Sequence, residues 1–149
     1  MQWVTRRSIR VNRLATAWLI CRFIDPQAVF LFVEPNRVAD IQQREGAIEF
    51  DAPGATYPHK DDKGRCSFEA LVEQYCPEDA VLREIARIVR GADFAEEISL
   101  TPESAGVRAI SHGFPLVTQD DHETIEKGAF LYDSLYAALQ QRRLENRAT

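Results

Sequence analysis

The sequence is poor in the features that mark several common function classes. Its three cysteines, Cys21, Cys66 and Cys76, show no CxxC spacing, which speaks against a disulfide framework or a zinc finger and leaves free thiols. No apolar run approaches the roughly 20 residues that a membrane helix needs. The start, Met1-Gln2-Trp3 followed by Arg6-Arg7, lacks the apolar core and cleavage site of a signal peptide. The expectation is a cytoplasmic protein with no membrane partner. Internal repeats and low-complexity segments are also missing. Positive charge is in deficit, with 18 Lys and Arg against 23 Asp and Glu. The resulting net charge of −5 disfavours a general polyanion binder, so no direct nucleic-acid binding is expected of this chain alone.

What remains is an ordinary globular composition, 45% hydrophobic and 28% charged over 149 residues, enough to bury one core. One domain is expected over residues 1–140, followed by a polar tail over 141–149 that is either helical or frayed. Polar and apolar residues alternate around Trp3 and Val4, predicting a strand over 2–5. Leu14, Ala15, Trp18, Leu19, Cys21 and Phe23 predict a largely buried helix over 11–24, stopped by Asp25-Pro26. The continuous run from Ala28 to Val33 predicts a strand buried on both faces, read as the sheet's centre. A helix from Pro35 or Asn36 to Arg44, ended by Gly46, leads to a third strand over 47–50. This order implies an α/β to α+β fold: a small mixed or parallel three-stranded sheet in the N-terminal half packed by helices, with a mostly helical C-terminal half. Later helices are expected from Ser67 as N-cap through Tyr75, from Glu78 or Asp79 to Gly91, and from Thr101 through Ile110 with Gly113 and Pro115 closing it. Thr118 is read as the cap of the last.

Chemistry-bearing side chains crowd residues 50–69, where His59, Cys66 and several carboxylates follow the third strand. Strand ends are where open α/β folds place their sites. Three readings arise. In the first, His59, Glu69, His122 and Asp133 hold a divalent metal, mixed nitrogen and oxygen ligation suiting iron, manganese or zinc. On a helical wheel His122 and Asp133 fall within about 20° of one line, and mid-helix Asp133 needs a cation, a metal or backbone donors. The plain alternative is an exposed loop histidine and a local charge set around His122. In the second, Arg13, Arg22, Arg65 or Arg90 present guanidinium donors to a tetrahedral dianion, against the alternative of ordinary surface ion pairs. Arg13, Arg22 and Arg90 are the principal candidates. In the third, Cys66 stands beside Arg65 and before a helix N-terminus, both of which lower a thiol's pKa, against the alternative of simple packing.

The stretch Arg10-Val11-Asn12-Arg13-Leu14-Ala15-Thr16-Ala17-Trp18-Leu19-Ile20-Cys21-Arg22-Phe23-Ile24-Asp25-Pro26, with the Phe30-Leu31-Phe32-Val33 strand, resembles the opening of the chromate resistance protein family, the ChrB C-terminal type domain. Phe50-Asp51, Pro53-Gly54, His59, Cys66-Ser67-Phe68-Glu69, Ile88-Val89-Arg90-Gly91-Ala92-Asp93, Ala105-Gly106, Asp120-Asp121-His122-Glu123 and Tyr132-Asp133-Ser134-Leu135-Tyr136 resemble its later blocks in order. Asn12 departs from an expected Asp, and Thr16-Ala17 from an expected Cys-Pro. The resemblance implies a chromate-tolerance protein whose full-length relatives act as chromate-responsive regulators of an exporter and carry a further N-terminal region. The expected function is a sensor or accessory domain that binds a divalent metal, the chromate oxyanion or both, with a homo-oligomer or a regulator as partner. The alternative is a metal- or thiol-dependent oxidoreductase that detoxifies Cr(VI), with Cys66 as its catalytic residue.

Overall fold

The computed structural model describes residues 1–52 and 54–148; Pro53 of the 50–69 segment and Thr149 of the tail lie outside the described residues. Strands β1 (Gln2–Arg6), β2 (Val29–Val33) and β3 (Ile48–Glu49) form one parallel sheet in the order β2-β1-β3. Side-chain alternation sorts its two faces. Trp3, Phe30 and Phe32 turn toward the main core, whereas Val4, Leu31 and Val33 pack with Val38, Ala47 and Ala52 on the other side. Helix α2 (Val38–Glu45) covers that second face and ends at Gly46, whose φ of +66° lies in the left-handed region.

The sheet's centre is β1, not β2 as the apolar run suggested. A continuous apolar run reports that both faces of a strand are covered, and says nothing of whether both edges are paired. Accordingly β2 has apolar side chains on both faces and still lies at an edge, with Val29 52% exposed.

Helix α1 (Val11–Leu19) follows β1 and extends as a π-helical turn over Ile20–Ile24. Then come α3 (Ser67–Tyr75), α4 (Ala80–Asp93), α5 (Ser104–Val117) and α6 (Asp121–Ala148). The fold is α+β, as the element order implied. Helix α4 buries Val81, Leu82, Ile85, Ile88 and Val89 along one stripe. Its N-cap Asp79 accepts the Leu82 N–H at 2.9 Å.

Several helix ends differ from the sequence reading. Cys66, not Ser67, is the N-cap of α3; Thr118 closes α5, its Oγ1 donating to the Phe114 carbonyl at 2.8 Å, and it is Asp120 Oδ1 that accepts the Glu123 N–H at 2.8 Å where α6 starts. Gly91 lies inside α4: a Cβ there would collide with Ser104 Oγ, so this glycine serves the close approach of α5. Helix α5 runs through Gly113 and Pro115, because Pro115 falls in the last turn, where its missing N–H forfeits one bond at the end. Of the two forms open to the polar tail, helical or frayed, the helical one is seen: α6 continues through Ala148, and Arg143 meets Glu84 of α4 at 3.1 Å.

Candidate functional site

A cleft of about 690 Å³ opens where the carboxyl ends of β1 and β3 meet the N-terminus of α1. Arg6 ends β1, Arg10 and Arg13 enter with the start of α1, and Lys60 comes from the loop between β3 and α3 and Arg108 from α5. These five permanent cations face two carboxylates, Asp51 just beyond β3 and Asp93 at the last residue of α4. His59 and His112 complete the ionisable lining. The first turn of α1 lines the cleft and has no side-chain cap, so its backbone N–H groups and the positive end of the helix dipole add to the field. An acidic protein therefore carries a concentrated basic cavity here.

Asp51 is the anchor of this site. Its φ of 51° is left-handed, a conformation that Asp tolerates better than most residues. The surrounding bonds hold it there: Thr5 Oγ1 donates to the Phe50 carbonyl at 2.6 Å, the Asp51 N–H donates to the Tyr57 carbonyl at 2.7 Å, and Arg6 Nε donates to the Asp51 carbonyl at 3.0 Å. The carboxylate, 5% exposed, takes His59 Nδ1 at 2.9 Å on Oδ1. Arg13 and Arg6 lie at 3.8 and 3.9 Å from its Oδ2. The bond to Asp51, with the charges of Asp93 and Asp51 adding, raises the His59 pKa against the effect of burial. Burial, then Arg108 and Arg10, lower that of His112.

Asp93 is paired differently. Its backbone carbonyl, with that of Ala92, faces Arg108 Nη1. Its carboxyl Oδ2 is buried without a hydrogen-bond donor among the described residues, and His59 Nδ1, already committed to Asp51, is 3.4 Å away. Burial and the neighbouring Asp51 charge push this carboxyl up to about 6. Arg13 Nε is likewise buried without an acceptor among the described residues.

The residues proposed for metal ligation do not come together. His59 is engaged with Asp51 and Asp93. Glu69 closes a capping box on Cys66 N–H at 3.1 Å and faces Arg90 at 3.5 Å. His122 lies edge-on to the Phe32 ring at 5.0 Å, and Asp133 accepts Trp18 Nε1 at 2.9 Å and Arg22 Nε at 3.0 Å. His122 and Asp133 share a helix face, but eleven residues at about 1.5 Å each separate them by roughly 16 Å along the axis. Azimuth on a wheel carries no information about axial distance. Among the described residues no group of three or more His, Cys, Asp or Glu side chains is arranged to hold a metal ion.

Of the candidate arginines only Arg13 lines the cleft. Arg22 pairs with Asp133, Arg65 with Asp61 and Glu73, and Arg90 with Glu97 and Glu69. Cys66 is fully buried, and burial, then the Glu69 charge, raise its thiol well above the ordinary value. That reverses the lowered pKa expected of it, because the main core seals off the sulfur at the helix start. Sequence reasoning passed over Arg6, Arg10, Lys60, Arg108, Asp51 and His112. Arg6 and Asp51 were accessible from the rule that sites gather at strand ends; nothing in the sequence pointed to Arg108, which only the packing of α5 brings in.

The family described as "ChrB, C-terminal domain" matches residues 3–139. The chain belongs to that family. It is also 36% identical over 138 residues to Protein ChrB of Cupriavidus metallidurans, a match covering 91% of this chain and 40% of that protein. It thus spans about two fifths of the curated relative's length. No solved structure matches it. The membership places the domain in the chromate-resistance-associated family that its motif series resembles. Its two departures from the expected pattern have a local structural outcome. Asn12 donates to Ser67 Oγ at 2.6 Å, and its Oδ1 accepts from Thr16 Oγ1 at 3.2 Å and from the Phe68 N–H at 3.3 Å, a buried tie between α1 and α3.

Proposed function

We propose that this domain binds a tetrahedral oxyanion, chromate in the family's context, in the basic cleft, and serves as a sensor or accessory module. The observation that carries this reading is the convergence of five cationic side chains with the uncapped start of α1. Guanidinium groups and free backbone N–H groups are the donors that a compact dianion requires. The cleft is larger than one such anion, so part of its lining meets the ligand through water. A thiol-based detoxification is disfavoured, since a neutral, sealed Cys66 is a poor nucleophile and a poor reductant.

Isothermal titration with chromate in an amine buffer free of other oxyanions tests the reading. Arg10→Gln and Arg13→Gln are expected to weaken binding by about tenfold or more each, the worth of one charge-assisted contact. Arg22→Gln and Arg90→Gln, outside the cleft, should leave affinity within about twofold. Absence of binding by the wild type, or equal losses in all four variants, would refute the assignment.

A further inference from the structure

Chromate and sulfate share tetrahedral shape and charge, so a set of cations alone cannot separate them. They differ in basicity: chromate takes up a proton near neutral pH, and sulfate does not. Apart from the somewhat larger size of chromate, this is the property by which a site can tell them apart, and the cleft contains a group placed to read a proton. Asp51 has its negative charge answered by His59, Arg6 and Arg13. Asp93 lines the same cleft, and its buried Oδ2 has no donor among the described residues. Neutral or anionic neighbours flank it as well as cations: Asp51 and His59 from the loop, Arg13 from α1, Arg108 from α5, the Cys66 thiol at the start of α3 and the Tyr132 hydroxyl of α6.

We propose that Asp93 makes the cleft selective for oxyanions that carry an acidic O–H, such as hydrogenchromate or hydrogenphosphate, over fully deprotonated sulfate. The inference rests on the oxyanion reading above and names the substrate class of that same site. A protonated anion donates its O–H to the Asp93 carboxylate while its other oxygens face the cations. Sulfate brings only acceptors, so two sets of lone pairs oppose each other across the contact. Sites that present a hydrogen-bonding group reject analogues unable to complete the bond far more strongly than they reject analogues differing in size. As pH falls and Asp93 takes up a proton of its own, it becomes a donor, and sulfate gains access. The burial and Asp51 charge that raise its pKa bring this change close to the working range.

The experiment is titration of wild type and Asp93→Asn with chromate, inorganic phosphate and sulfate at about pH 6.5 and 7.5. Wild type is expected to prefer inorganic phosphate to sulfate by about tenfold or more at the higher pH. Chromate should weaken as pH rises while it loses its proton. In Asp93→Asn the amide donates to sulfate, and the preference should shrink to about threefold or less. Equal wild-type affinity for phosphate and sulfate, with the Arg13 dependence intact, would overturn the selectivity and leave the oxyanion reading standing. Failure to bind any of the three anions would overturn both. The wild-type preference is measurable even if Asp93→Asn does not fold.

Discussion

Asp93 should cost the domain stability at neutral pH, and removing its charge should therefore stabilise the fold. The carboxyl rises from 3.8 to about 6 chiefly through burial, with Asp51 adding to the effect and His59, Arg13 and Arg108 opposing it. Because the folded-state value lies above the unfolded one, the folded protein holds more protons between about pH 4 and pH 6. Stability is lost as pH rises through that window. The difference corresponds to about 3 kcal/mol above pH 6, and with the side chain only 13% exposed, solvent screening reduces it little. Asp93→Asn keeps the shape and the backbone contacts to Arg108 and removes the charge. Thermal unfolding followed by circular dichroism should show the variant melting about 6–12 °C higher at pH 7.5, from roughly 2–4 °C per kcal/mol for a chain of this size. At pH 4 the two proteins should melt within a few degrees of each other. A variant destabilised equally at both pH values would refute the argument, since the side chain would then be contributing packing and not an uncompensated charge.

Two further outcomes follow from neighbouring groups. The His59 imidazolium should titrate by NMR above its ordinary value of 6.5, and Asp51→Asn should lower the midpoint; its stabilising contribution is complete below pH 6.5 and lost as pH rises through the raised value. An unchanged midpoint in the variant would show that the 2.9 Å bond to Asp51 is not its cause. Iodoacetamide applied to the native protein should modify partly exposed Cys21 and Cys76 before fully buried Cys66, as mass spectrometry of the peptides would report; preferential labelling of Cys66 would contradict the sealed thiol.

Much of the frame was legible because it rests on local patterns. Alternation around Trp3 and Val4, the helical spacing from Leu14 to Trp18, the Asp79 region as a helix start and Gly46 as a left-handed stop all appear where periodicity and backbone preference put them. The motif series was long and ordered enough to indicate the family. Helix ends were less legible, because Gly91 and Pro115 are tolerated for reasons of packing and position that a stop rule does not contain.

The site divides in the same way. By itself the sequence determined that His59, Arg13 and the turn after the third strand deserved notice, since residue type and loop position are local properties. Tertiary structure alone decided that Arg13 joins Arg6, Arg10, Lys60 and Arg108 around one cleft while Arg22 and Arg90 spend their charge on Asp133 and Glu97. It also decided that Asp51 is satisfied and Asp93 is not, and that His122 and Asp133 never meet. The physical reason is that Coulomb energy and desolvation depend on distance and burial in three dimensions, and neither is encoded in the spacing of charges along a chain.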